Sequence, residues 1–209
     1  IIRFHAIYWP AFLLSAKIEL PKSIFVHGYF TVNGQKMSKT IGNVIDPIEL
    51  INKYGSDALR YYLLSQVPST EDGDFSEEKL KAIYNSDLAN GLGNLVSRVA
   101  KLCEQNNIHA EKPYMVWCSD VENALSQYKF NEALQAVWLL ISQTDKKINE
   151  EKPWTLEGKE LQEKLKDYVK RIQEIAFNLT PFLPQASGKI LNQLSEEIKS
   201  STPLFPRII

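Results

Sequence analysis

The sequence predicts a mostly α-helical protein, and three observations carry this prediction. Apolar residues recur at helical spacing through residues 77–200. Residues 1–70 instead mix short apolar runs with turns. A polar stretch that contains Pro and Gly, residues 68–74, separates the two patterns as a linker does. We therefore predict two regions, residues 1–75 and residues 76–209, the second of them an α-helical bundle.

The first region opens with a helix and a hairpin. Residues 2–16 have a helical pattern that Pro10 kinks or ends. Residues 23–32 are rich in β-branched and aromatic side chains, which predicts a strand. Asn33-Gly34 predicts the tight turn that follows, and residues 35–43 read as a polar loop.

Two short helices follow the loop. Asp46 precedes Pro47, which predicts a helix with Asp as the N-cap and Pro as the first helical residue. Ser56 is the predicted cap of the next helix, because apolar residues recur at helical spacing behind it.

The second region carries four apolar stripes. Helices with one apolar face must bury that face, so four of them joined by modest loops predict a bundle. The stripes comprise Leu88, Leu92, Leu95, Val99 and Leu102; Phe130, Leu134, Val137, Trp138, Ile141 and Ile148; Leu161, Leu165, Tyr168, Ile172, Ile175 and Leu179; and Ile190, Leu191, Leu194 and Ile198.

Composition excludes several classes of protein. The chain has 209 residues, of which 44% are hydrophobic and 23% charged, so it is neither disordered nor fibrous. The net charge of −1 means that any contact with nucleic acid must come from a local patch. Two cysteines make no disulfide framework, which predicts a reducing, cytoplasmic environment.

The apolar opening of the chain is not a membrane segment. Residues 1–16 are too short and too interrupted to span a bilayer, and they lack the features of a signal peptide. The first residue is not Met, and the helical pattern of apolar residues is already under way at the start of the chain, so we expect a fragment of a longer protein.

A lysine loop is the sharpest local motif. Lys36 and Lys39 lie three residues apart with hydroxyl side chains between and after them, and glycines flank the segment. Lysines and loop N–H groups suit phosphate oxygens and can stabilise charge on a departing pyrophosphate. From composition alone, an ordinary solvated loop is the commoner explanation.

Two features of the helical region suit RNA. Asn94 and Arg98 lie one helical turn apart and can bond base edges, although an ordinary solvated helix face is the alternative. Trp154 follows Pro153 and could stack on an unpaired base, or it could plug the end of the bundle. Basic residues near this tryptophan are Lys146, Lys147 and Lys152.

The segment Lys36-Met37-Ser38-Lys39-Thr40 resembles the KMSKS loop of class I aminoacyl-tRNA synthetases. Thr40 stands where that family often has Ser, which keeps the hydroxyl. The wider context resembles the methionyl-tRNA synthetase family in particular. The matching stretches, in order, are residues 1–13, His27-Gly28-Tyr29, residues 42–47 and residues 54–62.

This resemblance implies that residues 1–75 are the remnant of a Rossmann-type catalytic domain and residues 76–209 an anticodon-binding domain. The HIGH motif and the zinc-binding insertion of the family do not occur in the sequence. We therefore expect the missing front half of the catalytic domain to be a partner of this chain. We also expect that this chain holds no metal site and does not catalyse aminoacylation alone.

The resemblance also implies roles for individual residues. The implied substrates and cofactors are methionine, ATP with Mg²⁺, and tRNA(Met) with its CAU anticodon. The implied sites are Lys36 and Lys39 for catalysis; Lys39, Ser38 and His27 for ATP; Ile1, Phe4, His5 and Trp9 for the methionine pocket; and Asn94, Arg98 and Trp154 for the anticodon.

Three other functions remain open from the sequence. A synthetase for isoleucine, leucine or valine would share the lysine loop, but the Phe4-His5 and Trp9-Pro10 pairs favour methionine. A free-standing tRNA-binding module would not need the loop. A plain helical interaction domain would make every motif coincidental.

Overall fold

The computed structural model describes residues 1–110 and 115–208. The chain begins with a π-helical turn, Phe4–Tyr8, which continues as α1 (Trp9–Ser15). This confirms the predicted first helix, and Pro10 is tolerated because it lies at the start of α1. None of the residues of this helix is buried.

A small sheet follows. It consists of β1 (Phe30–Val32), β2 (Gln35–Lys36) and β3 (Gly73–Phe75), with β1 antiparallel to β2 and parallel to β3. The predicted strand over residues 23–32 is wrong for residues 23–29. In the described part of the chain, the short strand β3 reaches back only to Tyr29, whose carbonyl accepts a hydrogen bond of 2.8 Å from the Gly73 amide, so residues 23–28 have no strand to pair with.

Two short helices come next, α2 (Pro47–Tyr54) and α3 (Ser56–Gln66). The side chain of Asp46 accepts a hydrogen bond of 2.8 Å from the Ile48 amide, which confirms the predicted cap of α2. The predicted cap of α3 is wrong by one residue. Gly55 is the N-cap, with φ of 85°, a conformation that favours glycine.

The remaining elements are mostly long helices. A continuous helix is built from α4 (Glu77–Ile83), a π-helical segment (Tyr84–Gly93) and α5 (Asn94–Gln105). The strands β4 (His109–Ala110) and β5 (Glu196–Glu197) pair antiparallel. The other helices are α6 (Ser119–Ser126), α7 (Phe130–Glu151), a 3₁₀ turn (Pro153–Thr155), α8 (Gly158–Leu179) and α9 (Pro184–Gln193).

One apolar core joins these helices. The helix α7 packs against α3, α6 and α8, while α8 also packs against α5 and α9. Stripe residues such as Leu88, Val99 and Ile172 are fully buried, which confirms a mostly helical fold. Leu50 and Tyr62 from the first region belong to the same core, so the division at residue 75 stays a prediction. In the part of the chain that the structure describes, no helix is long and apolar enough to cross a bilayer.

Two polar residues of α3 clamp the junction between α8 and α9. Asp57, which is 5% exposed, accepts a hydrogen bond of 2.7 Å from the Ala186 amide in the first turn of α9. Arg60 donates to the carbonyls of Phe182, at 2.8 Å, and Pro181, at 2.6 Å, behind the C-terminus of α8. The clamp therefore satisfies backbone groups that both helix ends leave open.

We expect Asp57→Ala to lower the free energy of unfolding by about 1–3 kcal/mol, because it leaves the Ala186 amide buried without an acceptor. Urea unfolding of the purified chain measures this change. Asp57→Asn, which keeps an acceptor oxygen, is the matched control and should lose less. Equal stability of Asp57→Ala and the unmodified chain would contradict the capping role.

Candidate functional site

A hairpin carries the lysine loop. Asn33 and Gly34, with φ of 52° and 74°, form the predicted tight turn between β1 and β2. The carboxylate of Asp74 on β3 accepts hydrogen bonds from the Gly34 amide, at 2.7 Å, and the Thr31 hydroxyl, at 2.6 Å. The bond from Thr31, and then that from Gly34, lowers the pKa of Asp74. A residue that sequence analysis missed thus fixes the hairpin.

The loop after the hairpin is closed by one asparagine. The side chain of Asn43 accepts from the Ser38 amide at 2.8 Å and donates to the Lys36 carbonyl at 3.2 Å. The Gly42 amide bonds the Ser38 carbonyl at 3.0 Å, and its φ of 75° suits glycine. Lys36 and Lys39 are exposed on this closed loop, and residues 33–45 contain no carboxylate. Such a loop can bind phosphate oxygens.

The N-terminal helix and the segment before β1 form a cleft of about 460 Å³. Ile1, His5 and His27 line it together, whereas Phe4 and Trp9 do not. The ring of Phe4 instead packs edge-on against Tyr8, with 5.4 Å between centroids. The structure therefore brings together the predicted methionine-pocket residues Ile1 and His5 with the predicted ATP residue His27.

Both histidines in this cleft have one ring nitrogen engaged. Nδ1 of His5 lies 3.1 Å from the Ile1 carbonyl, and Nδ1 of His27 lies 2.8 Å from the Gly28 carbonyl. A carbonyl oxygen can only accept, so Nδ1 donates in each case. In the neutral rings, Nε2 is then left as an acceptor for a ligand.

Arg98 on α5 contacts α7. Its guanidinium donates to Asp145 at 2.6 Å and to Asn149 at 3.0 Å. Asn149 in turn donates to the second oxygen of Asp145 at 2.9 Å. The sequence signal for this cluster is a polar pair four residues apart on α7, which sequence analysis did not connect to Arg98.

Asn94 lies one turn before Arg98 and borders a different feature. It is exposed and lines a groove of about 460 Å³ with Asn90, Ser97, Pro203 and residues 205–207. The groove is closed on one side by Arg207, which donates to the Asn90 side chain at 2.7 Å. Sequence analysis missed this wall, because the C-terminal segment has no periodic pattern.

Trp154 projects from the 3₁₀ turn Pro153–Thr155. Its side chain is 57% exposed, so the interpretation as a plug of the bundle is wrong. Lys147 is paired with Asp167 at 2.9 Å, and Lys146 lies 3.8 Å from Glu150. Carboxylates thus offset much of the positive charge expected beside the tryptophan.

Possible metal ligands do not cluster among the described residues. Across residues 1–110 and 115–208, no three His, Cys, Asp or Glu side chains lie close enough together to hold a metal ion. Among those residues both cysteines are free thiols, and burial raises the pKa of Cys103 to about 12.

Comparison with known proteins identifies the family. The family model for class I tRNA synthetases (M) matches residues 1–100. The chain is 38% identical to the methionine–tRNA ligase of Synechocystis sp. over 93% of its own length, and 41% identical to that of Clostridium acetobutylicum over 95%. The chain belongs to the methionyl-tRNA synthetase family.

A solved member of the methionyl-tRNA synthetase family has the same fold. The Mycobacterium tuberculosis methionyl-tRNA synthetase in complex with methionyl-adenylate superposes with a TM-score of 0.83 at 33% identity, over 99% of this chain. The chain spans 40% and 34% of the two relatives and 48% of the solved chain. The similarity to methionine–tRNA ligases disfavours a synthetase for isoleucine, leucine or valine.

Proposed function

We propose that this chain is the part of a methionine–tRNA ligase that carries the lysine loop and the anticodon-binding helices. The observation that carries the proposal is the loop of residues 36–43, in which Asn43 closes a turn that presents two exposed lysines and no carboxylate. Membership of the methionyl-tRNA synthetase family supports methionine, ATP and tRNA(Met) as substrates, and the cytoplasm as the location.

In the activation step, the methionine carboxylate attacks the α-phosphate of ATP and pyrophosphate leaves. Negative charge grows on the leaving group, and Lys39 with Lys36 stabilises that charge in the transition state. Ser38 and His27 contact ATP in this proposal. Mg²⁺ would supply further neutralisation when bound, and residues 33–45 offer no carboxylate that would hold it.

The cleft beside His5 is the proposed wall of the methionine pocket. Ile1 supplies apolar surface, and Nε2 of His5 is the polar group that can orient the substrate. Phe4 and Trp9 lie outside the cleft, with exposed fractions of 63% and 42%. Aromatic rings next to a thioether pack well against sulfur, so we assign both to the pocket of the complete catalytic domain.

The bundle is the proposed reader of the CAU anticodon. Asn94 has an exposed amide, and the guanidinium of Arg98 keeps N–H groups beyond those bonded to Asp145 and Asn149, so both can bond a base edge. Trp154 presents a ring on which a base can stack. The acyl group then passes from the adenylate to the 3′ end of the tRNA. Reading the anticodon at a distance from the chemistry adds specificity to that of the methionine pocket.

The purified 209-residue chain tests this division of labour. We expect no methionine-dependent ATP–pyrophosphate exchange, because these residues hold only one part of the nucleotide site. We expect measurable binding of an anticodon stem-loop with CAU. Robust exchange by this chain would contradict the proposed division, and the absence of stem-loop binding would contradict the assignment of the bundle.

A further inference from the structure

The last residue of α7 is anchored to α8 by two hydrogen bonds. The carboxylate of Glu151 accepts from Lys164 Nζ at 2.7 Å and from the Tyr168 hydroxyl at 2.5 Å. Tyr168 is fully buried, and its hydroxyl reaches the partly exposed carboxylate of Glu151 from inside the core. Desolvation works to raise the pKa of Glu151, but the hydrogen bonds from Lys164 and Tyr168, together with the charges of Lys147 and Lys164, lower it overall, so the carboxylate accepts both bonds in its charged form.

The turn that follows Glu151 is closed within itself. Lys152 adopts a left-handed backbone conformation with φ of 46°, which residues other than glycine rarely take. The amide and hydroxyl of Thr155 both bond the Lys152 carbonyl at 2.8 Å. Pro153 is buried, and Trp154 is exposed between these contacts. The turn is therefore a compact unit that Glu151, the buried Pro153 and the bond from the Lys152 amide to the Ile148 carbonyl attach to the bundle.

We propose that Glu151 and Tyr168 are positioning residues that hold the turn of Trp154 ready to stack on an unpaired RNA base. The inference rests on the proposed function, in which Trp154 contacts the anticodon. An aromatic ring fixed before binding loses less conformational freedom when the base arrives, so the contact is stronger than that of a mobile ring. Neither residue touches the RNA itself in this proposal.

A mutant cycle in the full 209-residue chain tests this role, with an anticodon stem-loop carrying CAU as the probe. Tyr168→Phe removes only the hydroxyl that donates a hydrogen bond to Glu151. We expect it to weaken binding about three- to tenfold, the usual effect of one hydrogen bond. In a Trp154→Ala background, the same change should cause no further loss, because the positioned ring is gone.

The chain offers a matched control for the loss of a buried hydroxyl. Tyr61 is 4% exposed and donates to Asp87 at 2.8 Å, so Tyr61→Phe removes a comparable hydrogen bond elsewhere in the core. It should lower the unfolding midpoint without changing stem-loop affinity. Glu151→Gln is the second variant, and it changes a partly exposed residue, so it can be used even if Tyr168→Phe folds poorly. It should weaken stem-loop binding when Trp154 is present and cause no further loss in the Trp154→Ala background.

The outcomes separate this inference from the proposed function. If Trp154→Ala weakens binding but Tyr168→Phe and Glu151→Gln do not, the positioning role is overturned and the anticodon assignment stands. If Tyr168→Phe weakens binding equally in both backgrounds, its effect does not pass through Trp154 and the inference is overturned. If Trp154→Ala binds normally, the assignment of Trp154 fails and the positioning role fails with it.

Discussion

In a full-length enzyme that contains this chain, Lys39→Ala is expected to lower the rate of methionine activation by roughly 10²–10³-fold, the scale for losing one donor to a developing charge. The affinity for methionine should change little, because the contact strengthens only as charge develops on pyrophosphate. Pre-steady-state formation of the adenylate measures the rate, and its dependence on methionine concentration gives the affinity.

A lysine far from the loop provides the control for charge. Lys159 on α8 has a side chain that is 91% exposed, so Lys159→Ala removes the same charge without touching the loop. This variant should activate methionine at the unmodified rate. A large rise in the KM for methionine with an unchanged rate in Lys39→Ala would contradict the proposed role of the loop.

Replacing Trp154 is expected to have the second large effect. If the ring stacks on the first anticodon base, Trp154→Ala should remove about 1–3 kcal/mol of tRNA binding, or roughly five- to 150-fold in affinity. The unfolding midpoint should fall only slightly, because the side chain is 57% exposed. Binding of a CAU stem-loop and thermal unfolding, measured on the same samples, provide the two numbers.

Two further variants sharpen this result. Leu139 on α7 is also 57% exposed, so Leu139→Ala is a control for loss of exposed apolar surface on the bundle and should bind RNA normally. Arg98→Ala should instead reduce discrimination between CAU and a stem-loop with a changed first base, because hydrogen bonds carry base identity. A Trp154→Ala protein that melts far lower yet binds normally would contradict the stacking role.

Local signals in the sequence determined most of the helices and turns. The apolar stripes of α5, α7 and α8 were predictable because a helix repeats every 3.6 residues, whatever it packs against. The turn at Asn33-Gly34 and the cap at Asp46 were predictable for a similar reason, since each depends on the conformational preference of one or two residues. The lysine loop was visible as a motif, and its resemblance to the family predicts its chemistry, which stays a prediction.

Only the tertiary structure decided which side chains from distant segments meet. Asp145 holds Arg98, Asp74 holds the hairpin of the lysine loop, and Tyr168 reaches Glu151, yet no periodicity within a segment encodes such pairs. Residues 23–28 have strand-forming side chains, but no strand lies beside them in the part of the chain that the structure describes. Local preference is a property of a few adjacent residues, whereas hydrogen-bond partners depend on how whole helices and strands pack. This is why the sequence alone predicts candidate site residues but not the residues that hold them in place.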